Sequence, residues 1–310
     1  MQISILLAQQ IAQLFLILIM GYAVVKAGLL KASDSRVLSV VMVYLVTPCV
    51  IINAFQIDDT PEIRKGLLYS MAIAAAIHVV LLVLSALLSR PLKLDAVEQV
   101  NVIYSNAAAL VIPLVKALMG DAYVIYSCAF IIVQLVLLWT HASSLLQGSS
   151  ALDWKKVLTN INMIAIAAGA LLYWFRVVLP APLQNTMSTV GNMMGPMGML
   201  LAGMAIAEKP VLMVFCTRRN YLPTVLRLVV CPLVVLVLLW VCHASSWVAD
   251  GKNILMTVYL AAITPACATV TSMAQLYDRD AAHSSALYVL TTLLSIVSMP
   301  VMIGLFDLLL

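Results

Sequence analysis

The sequence VIYSNAAALVIP, residues 102–113, places a proline and three polar side chains inside an otherwise apolar segment. A second segment of this kind, ITPACATVTS at residues 263–272, contains Pro265 and four hydroxyl side chains. Proline removes a backbone donor and clashes with the preceding turn, so Pro113 is expected to free carbonyl groups around Ala109. Because lipid offers these groups no partner, each segment predicts an interrupted membrane helix whose loose backbone is satisfied by protein, water or ligand. A simple kink without a ligand is the alternative.

Composition points to the bilayer as the solvent. Of the 310 residues, 64 % are hydrophobic and only 10 % are charged, whereas soluble domains carry roughly 25 % charged residues. No run of like charges suggests a nucleic-acid partner. The six cysteines form no CxxC pair, so they are interpreted as small buried side chains rather than metal ligands or disulfides. No cofactor is expected.

Charged and turn residues divide the chain into ten apolar pieces, each close to the 20 or so residues that cross a bilayer. The first 20 residues lack a basic n-region and a cleavage site, so they are expected to belong to the first span. The fold class is therefore an all-α membrane protein of about ten helices. The predicted spans are 4–25, 37–56, 66–89, 99–119, 122–144, 157–178, 184–206, 220–242, 254–276 and 283–307.

The distribution of basic residues predicts the orientation. Lys and Arg are enriched in cytoplasmic loops, and eleven of them fall in the loops that follow odd-numbered spans. Those loops should be cytoplasmic, with both termini on the outer side of a plasma or bacterial inner membrane. The eleven residues are Lys26, Lys31, Arg36, Arg90, Lys93, Lys155, Lys156, Lys209, Arg218, Arg219 and Arg279.

The two halves of the chain resemble each other. Residues 112–121 close the fourth span, and residues 269–278 close the ninth at an offset of 157. Five spans is an odd number, so the second half must enter the membrane from the opposite side, as in the inverted repeats of secondary transporters. We predict a first repeat at 1–146, a cytoplasmic linker at 147–156 and a second repeat at 157–310.

Several motifs resemble the auxin efflux carrier family, which includes PIN-like carriers and bacterial malate or malonate permease-like proteins. Asn106 followed seven residues later by Pro113 is similar to its fourth-span pattern. Residues 264–277, beginning Thr-Pro, are similar to its ninth-span pattern, and residues 227–233, RLVVCPL, to its eighth. The likeness covers essentially the whole chain and depends on the order of these elements.

The resemblance implies a scaffold of spans one, two, six and seven and a mobile core of spans three to five and eight to ten. It also implies that the broken fourth and ninth helices cross in an X, and that an organic anion is moved by an elevator-like motion. Val270 stands where plant members carry a second crossover proline, so the ninth-span break is expected at Pro265. The long hydrophilic loop of many plant carriers is missing from this sequence.

An anion site is predicted at the two breaks. Half-helix N-termini pointing at the midplane present free N–H groups and positive dipole ends to an anion. The Asn106 amide could donate to a carboxylate or instead bind loose carbonyls. The candidate substrate-binding residues are Asn106, Pro113, Thr264, Pro265, Thr269 and Thr271.

Four further polar residues are candidates for coupling or gating. His78 lies near the middle of span three, where an ionisable group is a functional hypothesis; the alternative is a neutral imidazole bonded to a neighbouring helix. Gln134 could be its partner or could join two helices. Lys116 could snorkel to the interface or attract anions, and Asn53 could face the core from span two. Arg227 is expected to snorkel towards the cytoplasm.

These features favour a secondary active transporter of a small mono- or dicarboxylate, with a channel or a ligand-sensing receptor as the alternative. No HExxH, GxSxG or P-loop motif occurs, so an enzyme is disfavoured and a gradient must supply the energy. The expected partners are the organic anion, a coupling ion that is either H⁺ or Na⁺, and the lipid bilayer. A homodimer is left open.

Overall fold

The computed structural model describes residues 2–56, 60–148, 159, 161–207, 211–248 and 250–310. Within these ranges the chain is helical, and its one β-type contact is a single antiparallel bridge between two non-helical segments. The prediction of an all-α protein is confirmed. Most of the predicted linker at 147–156 lies outside the described residues.

Several of the described helices are short, because turns divide a segment of membrane-spanning length into two or more helices. The first half contains α1 (Gln2–Lys26), α2 (Ser35–Val41), α3 (Thr47–Ala54), α4 (Pro61–Ser89), α5 (Ala96–Ile103), α6 (Ala107–Met119), α7 (Asp121–Leu137) and α8 (Ser143–Gln147). The second half contains α9 (Ile161–Trp174), α10 (Ala181–Gly191), α11 (Met194–Ile206), α12 (Val211–Cys216), α13 (Tyr221–Val225), α14 (Cys231–Val241), α15 (Gly251–Ile263), α16 (Ala268–Leu276) and α17 (Ala281–Leu309).

Six helical segments of the described chain are long and apolar enough to cross a membrane. They correspond to the predicted second, third, fifth, seventh, eighth and tenth spans. The predicted fourth and ninth spans do not qualify by length, because each is split into two short helices, α5 with α6 and α15 with α16. The six segments are Ala32–Asn53, Pro61–Ser89, Ala122–Gln147, Ala181–Ile206, Arg218–Val241 and Ala281–Leu309.

Two wide helical turns allow helices to continue past prolines. A π-helical turn, Met42–Val46, ends two residues before Pro48, and another, Leu226–Val230, ends two residues before Pro232. A proline ring clashes with the carbonyl four residues earlier, and a wider turn moves that carbonyl away. Such turns are often found at functional sites, and the second one contains Arg227.

The split segments lie at the buried centre of the fold. α5 packs against α4 and α17, whereas α15 packs against α4 and α7. Ile103 and Ile263, the last residues of α5 and α15, are buried in the same hydrophobic cluster. Neighbouring helices therefore surround both interruptions and exclude lipid from them.

Glycines permit a close contact between α1 and α11. A Cβ atom on Gly203 would collide with the backbone carbonyl of Leu18, and one on Gly21 would collide with that of Leu200. Small residues allow helix backbones in membranes to approach closely. The two glycines therefore allow α1 to pack closely against α11.

We expect Gly203→Ala to destabilise the protein by about 1–3 kcal/mol, the usual cost of overpacking. Gly304→Ala is the matched control, since a Cβ atom there meets nothing within 4 Å. Thermal unfolding of both purified variants in detergent measures the difference. Equal melting temperatures would contradict the close contact of α1 and α11.

Candidate functional site: the crossing of two interrupted helices

Two non-helical segments meet where the fourth and ninth predicted spans are interrupted. Tyr104–Asn106 separates α5 from α6, and Thr264–Cys267 separates α15 from α16. We call these two segments together the crossing. Ser105 and Ala266 face each other in an antiparallel bridge.

Two backbone hydrogen bonds hold the crossing together. The Asn106 N–H donates to the Pro265 carbonyl over 2.8 Å, and the Cys267 N–H donates to the Tyr104 carbonyl over 3.1 Å. Each segment thus supplies the partners that its own interrupted helix cannot supply. This arrangement satisfies the requirement that backbone groups within a bilayer be bonded inside the protein.

Side chains from neighbouring helices bind the outer edges of the bridge. The Gln134 oxygen accepts from the Ser105 N–H over 2.9 Å, and the Gln134 nitrogen donates to the Ser105 carbonyl over 2.8 Å. On the other side, the Thr291 hydroxyl oxygen accepts from the Ala266 N–H over 3.1 Å. Gln134 and Thr291 are 157 residues apart, the same offset that relates the ends of the fourth and ninth spans.

The structure corrects the predicted position of the fourth-span break. α6 continues through Pro113, and the break lies at 104–106 instead of around Ala109. Pro113 removes only one hydrogen bond of the helix, so the helix can continue through it. At residues 104–106 the bridge and Gln134 bind several backbone groups, and these bonds replace the helical ones. Pro265 does lie within its own break, and Thr264 before it is extended (φ −61°, ψ 156°), as proline requires of its predecessor.

Asn106 directly precedes α6 and is 3 % exposed. Its Nδ2 atom donates to the Tyr288 hydroxyl over 3.4 Å, and that hydroxyl donates to Met199 Sδ over 3.0 Å. The Asn106 amide is therefore placed between α6 and α17. Sequence reasoning missed Tyr288, although a tyrosine hydroxyl in an apolar span needs a buried partner.

The three candidate threonines are all buried but serve different contacts. The Thr264 hydroxyl donates to the Ala261 carbonyl, and Thr269 lies in the first turn of α16. The Thr271 hydroxyl lies 3.1 Å from that of Ser284, away from the bridge contacts. The described residues therefore bring Asn106, Thr264 and Pro265 together at the crossing.

His78 is fully buried in α4, and its ring packs on Phe130 with centroids 4.7 Å apart. Its Nδ1 atom lies 2.7 Å from the Ala74 carbonyl. A carbonyl only accepts, so Nδ1 must carry the hydrogen. The Gln134 oxygen and nitrogen both bond Ser105, and the Gln134 side chain also lies within hydrogen-bonding reach of His78. The pairing of His78 with Gln134 stays a prediction, beside the role of Gln134 in joining two helices.

The other gating candidates, Asn53 and Lys116, belong to α3 and α6. Asn53 is half-buried in α3, which packs against α9 and α10. Among the described side chains, Asn53 makes none of the hydrogen bonds that hold the bridge. Lys116 follows Pro113 in α6, and the side chains of both residues lie outside the described part of the structure.

The prediction that Arg227 snorkels to the interface is wrong, because its side chain is 1 % exposed and lies against the crossing. Nε and Nη2 donate to the Thr264 carbonyl over 3.0 and 2.7 Å, and Nη2 also donates to the Ala262 carbonyl over 2.5 Å. Nη1 donates to the Val102 and Ile103 carbonyls over 3.1 and 3.2 Å. The guanidinium therefore binds the ends of α15 and α5.

Four helix termini with different partial charges meet at the crossing. The C-termini of α5 and α15 carry partial negative charge, and the N-termini of α6 and α16 carry partial positive charge. Arg227 is bound to the two negative ends. The two positive ends remain as a place suited to an anion.

An ion cluster fixes the start of α5, just before the predicted fourth span. Arg219 binds the buried Glu98 carboxylate through two nitrogens at 2.5 and 2.6 Å. Burial raises the pKa of Glu98, but hydrogen bonds from His283 and Arg219 outweigh burial and lower the pKa to about 2. Asp95, Glu98 and His283 lie close enough together to hold a cation, yet the bidentate Arg219 contact assigns Glu98 to an ion pair.

The fold and the crossing together define a class of protein: an integral membrane protein whose interior is built around two interrupted helices. Comparison with known families identifies the family. The profile of a family described as membrane transport protein matches residues 6–152 and again residues 150–303. The chain therefore belongs to this family of auxin efflux carriers and PIN-like proteins, which comprises transporters rather than enzymes. No curated protein matches the chain.

We expect Gln134→Leu to lower the stability of the protein by about 1–3 kcal/mol, because the Ser105 N–H and carbonyl would lose buried partners. Gln13→Leu, at an exposed position of α1, serves as the control. Thermal unfolding in detergent is the measurement. A Gln134→Leu protein as stable as the control would mean that the crossing does not depend on this side chain.

Proposed function

We propose that this membrane transport protein is a secondary active transporter of a small organic anion, such as a mono- or dicarboxylate. The observation that carries the proposal is the meeting of the α6 and α16 N-termini at the crossing. Their N–H groups and dipoles favour an anion, and Asn106 lies directly before α6. Thr264 and Pro265 flank the same place from the other segment, and Thr269 lies in the first turn of α16.

The proposed architecture is ten spans arranged as two inverted five-helix repeats. The twofold match to the family profile, once in each half, supports an internal repeat. The pairing of Gln134 and Thr291 with equivalent edges of the bridge also supports it. An odd number of spans in each repeat then makes the two halves antiparallel.

The proposed mechanism is an elevator-like movement of a core against a scaffold. In this proposal α1–α3 and α9–α11 form the scaffold, and α4–α8 and α12–α17 form the core. Soft methionine sulfurs supply part of the contact between them: Ser272 donates to Met42 Sδ over 3.3 Å and Tyr288 donates to Met199 Sδ. Met side chains adapt readily to different neighbours, which suits a sliding contact.

One exposed ion pair also joins the proposed scaffold and core. Arg36 precedes the π-helical turn of the second span, and its Nη1 atom lies 2.9 Å from the Asp278 carboxylate that follows α16. Exposed ion pairs contribute about 0–1 kcal/mol. Such a contact could break in each transport cycle without a large barrier.

The coupling ion, H⁺ or Na⁺, is part of the proposal only as an open choice. His78 would have to take up a proton at Nε2, because Nδ1 is bound to a carbonyl. A channel or receptor built on the same fold is the alternative function. Counterflow in proteoliposomes separates these, since only a carrier exchanges labelled against unlabelled anion across the membrane.

We expect Asn106→Ala to weaken anion binding by about 10- to 100-fold, the loss of one hydrogen bond to a charged group worth about 1.5–3 kcal/mol. Malate and malonate are the probes, and binding is measured by thermal shift and by uptake into proteoliposomes. Asn192→Ala, at an exposed position beyond α10, is the control. Unchanged binding and uptake in the Asn106 variant would sink the assignment of the anion site.

The proposed topology is tested with single cysteines in a variant that lacks the six native ones. A cysteine replacing Glu62 should react with a membrane-impermeant maleimide in intact cells. A cysteine replacing Lys93 should react only after the membrane is permeabilised, because its loop belongs to the basic side. Both positions are exposed. The reverse labelling pattern would overturn the orientation and place both termini inside the cell.

A further inference from the structure

Arg227 is a buried cation whose partners are all backbone carbonyls. Its guanidinium makes five hydrogen bonds to four carbonyl oxygens of α5, α15 and the crossing. It forms no ion pair with a carboxylate of the described residues. Buried charges are normally paired with an opposite charge. The positive charge of Arg227 must therefore be balanced by the partial negative charges of the helix ends that it binds.

The charges of the helix ends account for this compensation. Each helix C-terminus carries about half a negative charge, so the ends of α5 and α15 together carry about one. Without a cation between them, these two ends would repel each other and leave carbonyls unbonded in an apolar interior. One guanidinium supplies the balancing charge and the donors at the same time.

We propose that Arg227 is the resident counter-cation of the crossing, in the place where a bound monovalent cation would otherwise be needed. The planar guanidinium suits this place because its fork of donors reaches both helix ends at once. The Val102 and Ile103 carbonyls lie on one side, and those of Ala262 and Thr264 on the other. The π-helical turn Leu226–Val230 holds the backbone of Arg227 at this point.

The proposal has a consequence for anion binding. With the negative ends neutralised, the positive N-termini of α6 and α16 act on an anion without opposition from their neighbours. Arg227 is therefore a positioning residue that acts through the helix ends. This consequence rests on the proposed anion site, whereas the role as counter-cation does not.

The first experiment tests the counter-cation by chemical rescue. Arg227→Ala should melt at a lower temperature than the parent, and 10 mM guanidinium chloride should raise that temperature by about 2–4 °C. Urea at the same concentration is the control, since it has the same shape without the charge. Arg90→Ala, at an exposed arginine, should respond to neither compound. An Arg227→Ala protein that responds alike to guanidinium and urea, or to neither, overturns the proposal.

The second experiment uses conservative variants, which also serve if Arg227→Ala does not fold. Arg227→Lys keeps the charge and should bind malate or malonate within about threefold of the parent, whereas Arg227→Gln should bind about tenfold more weakly. Thermal stability is measured beside binding. If Arg227→Gln melts and binds like the parent, the charge at this position is not needed and the counter-cation proposal fails. If neither parent nor variants bind these anions, the proposed function fails while the rescue experiment still decides the role of Arg227.

Discussion

The structure depends on the pairing of two backbone segments at Ser105 and Ala266. A membrane interior contains no water to bond a loose N–H or carbonyl, so two helices can break at its centre only if each satisfies the other. The bonds from Asn106 to Pro265 and from Cys267 to Tyr104 do this. Side-chain hydrogen bonds from Gln134, Thr291 and Arg227 then satisfy the backbone groups next to this pairing.

The pairing of the two segments also determines which charges meet at the crossing. Breaking two helices at one point creates two helix ends with partial negative charge and two with partial positive charge. Arg227 is bound to the negative pair, and the two positive N-termini are the place where the proposed anion would bind. The arrangement needs no carboxylate in the described interior, and the carboxylate of Glu98 is engaged by Arg219 outside the predicted spans.

Sequence reasoning predicted six of the membrane-crossing helices and the break at Pro265, because apolar length and proline act locally. It predicted the family from the order of motifs along the chain. It misplaced the fourth-span break at Pro113, since the break at Ser105 is set by partners far away in the chain, Ala266 and Gln134. Arg227 was missed for the same reason: its carbonyl partners belong to other helices. The ten-span inverted repeat and the residues of the anion site stay predictions.

In the proposed movement of a core against a scaffold, the crossing and the contact between the two parts would have different roles. Separating the two segments of the crossing would leave several backbone groups and the Arg227 guanidinium without hydrogen-bond partners. The crossing should therefore move as a rigid unit. The contact with α11 includes two single side-chain bonds: Tyr288 donates to Met199 Sδ, and Ser285 donates to the Ala202 carbonyl over 2.6 Å. A thioether is a weak acceptor with many alternative packings. The proposed movement would therefore keep the mutually dependent bonds of the crossing intact and exchange the single side-chain bonds along its path.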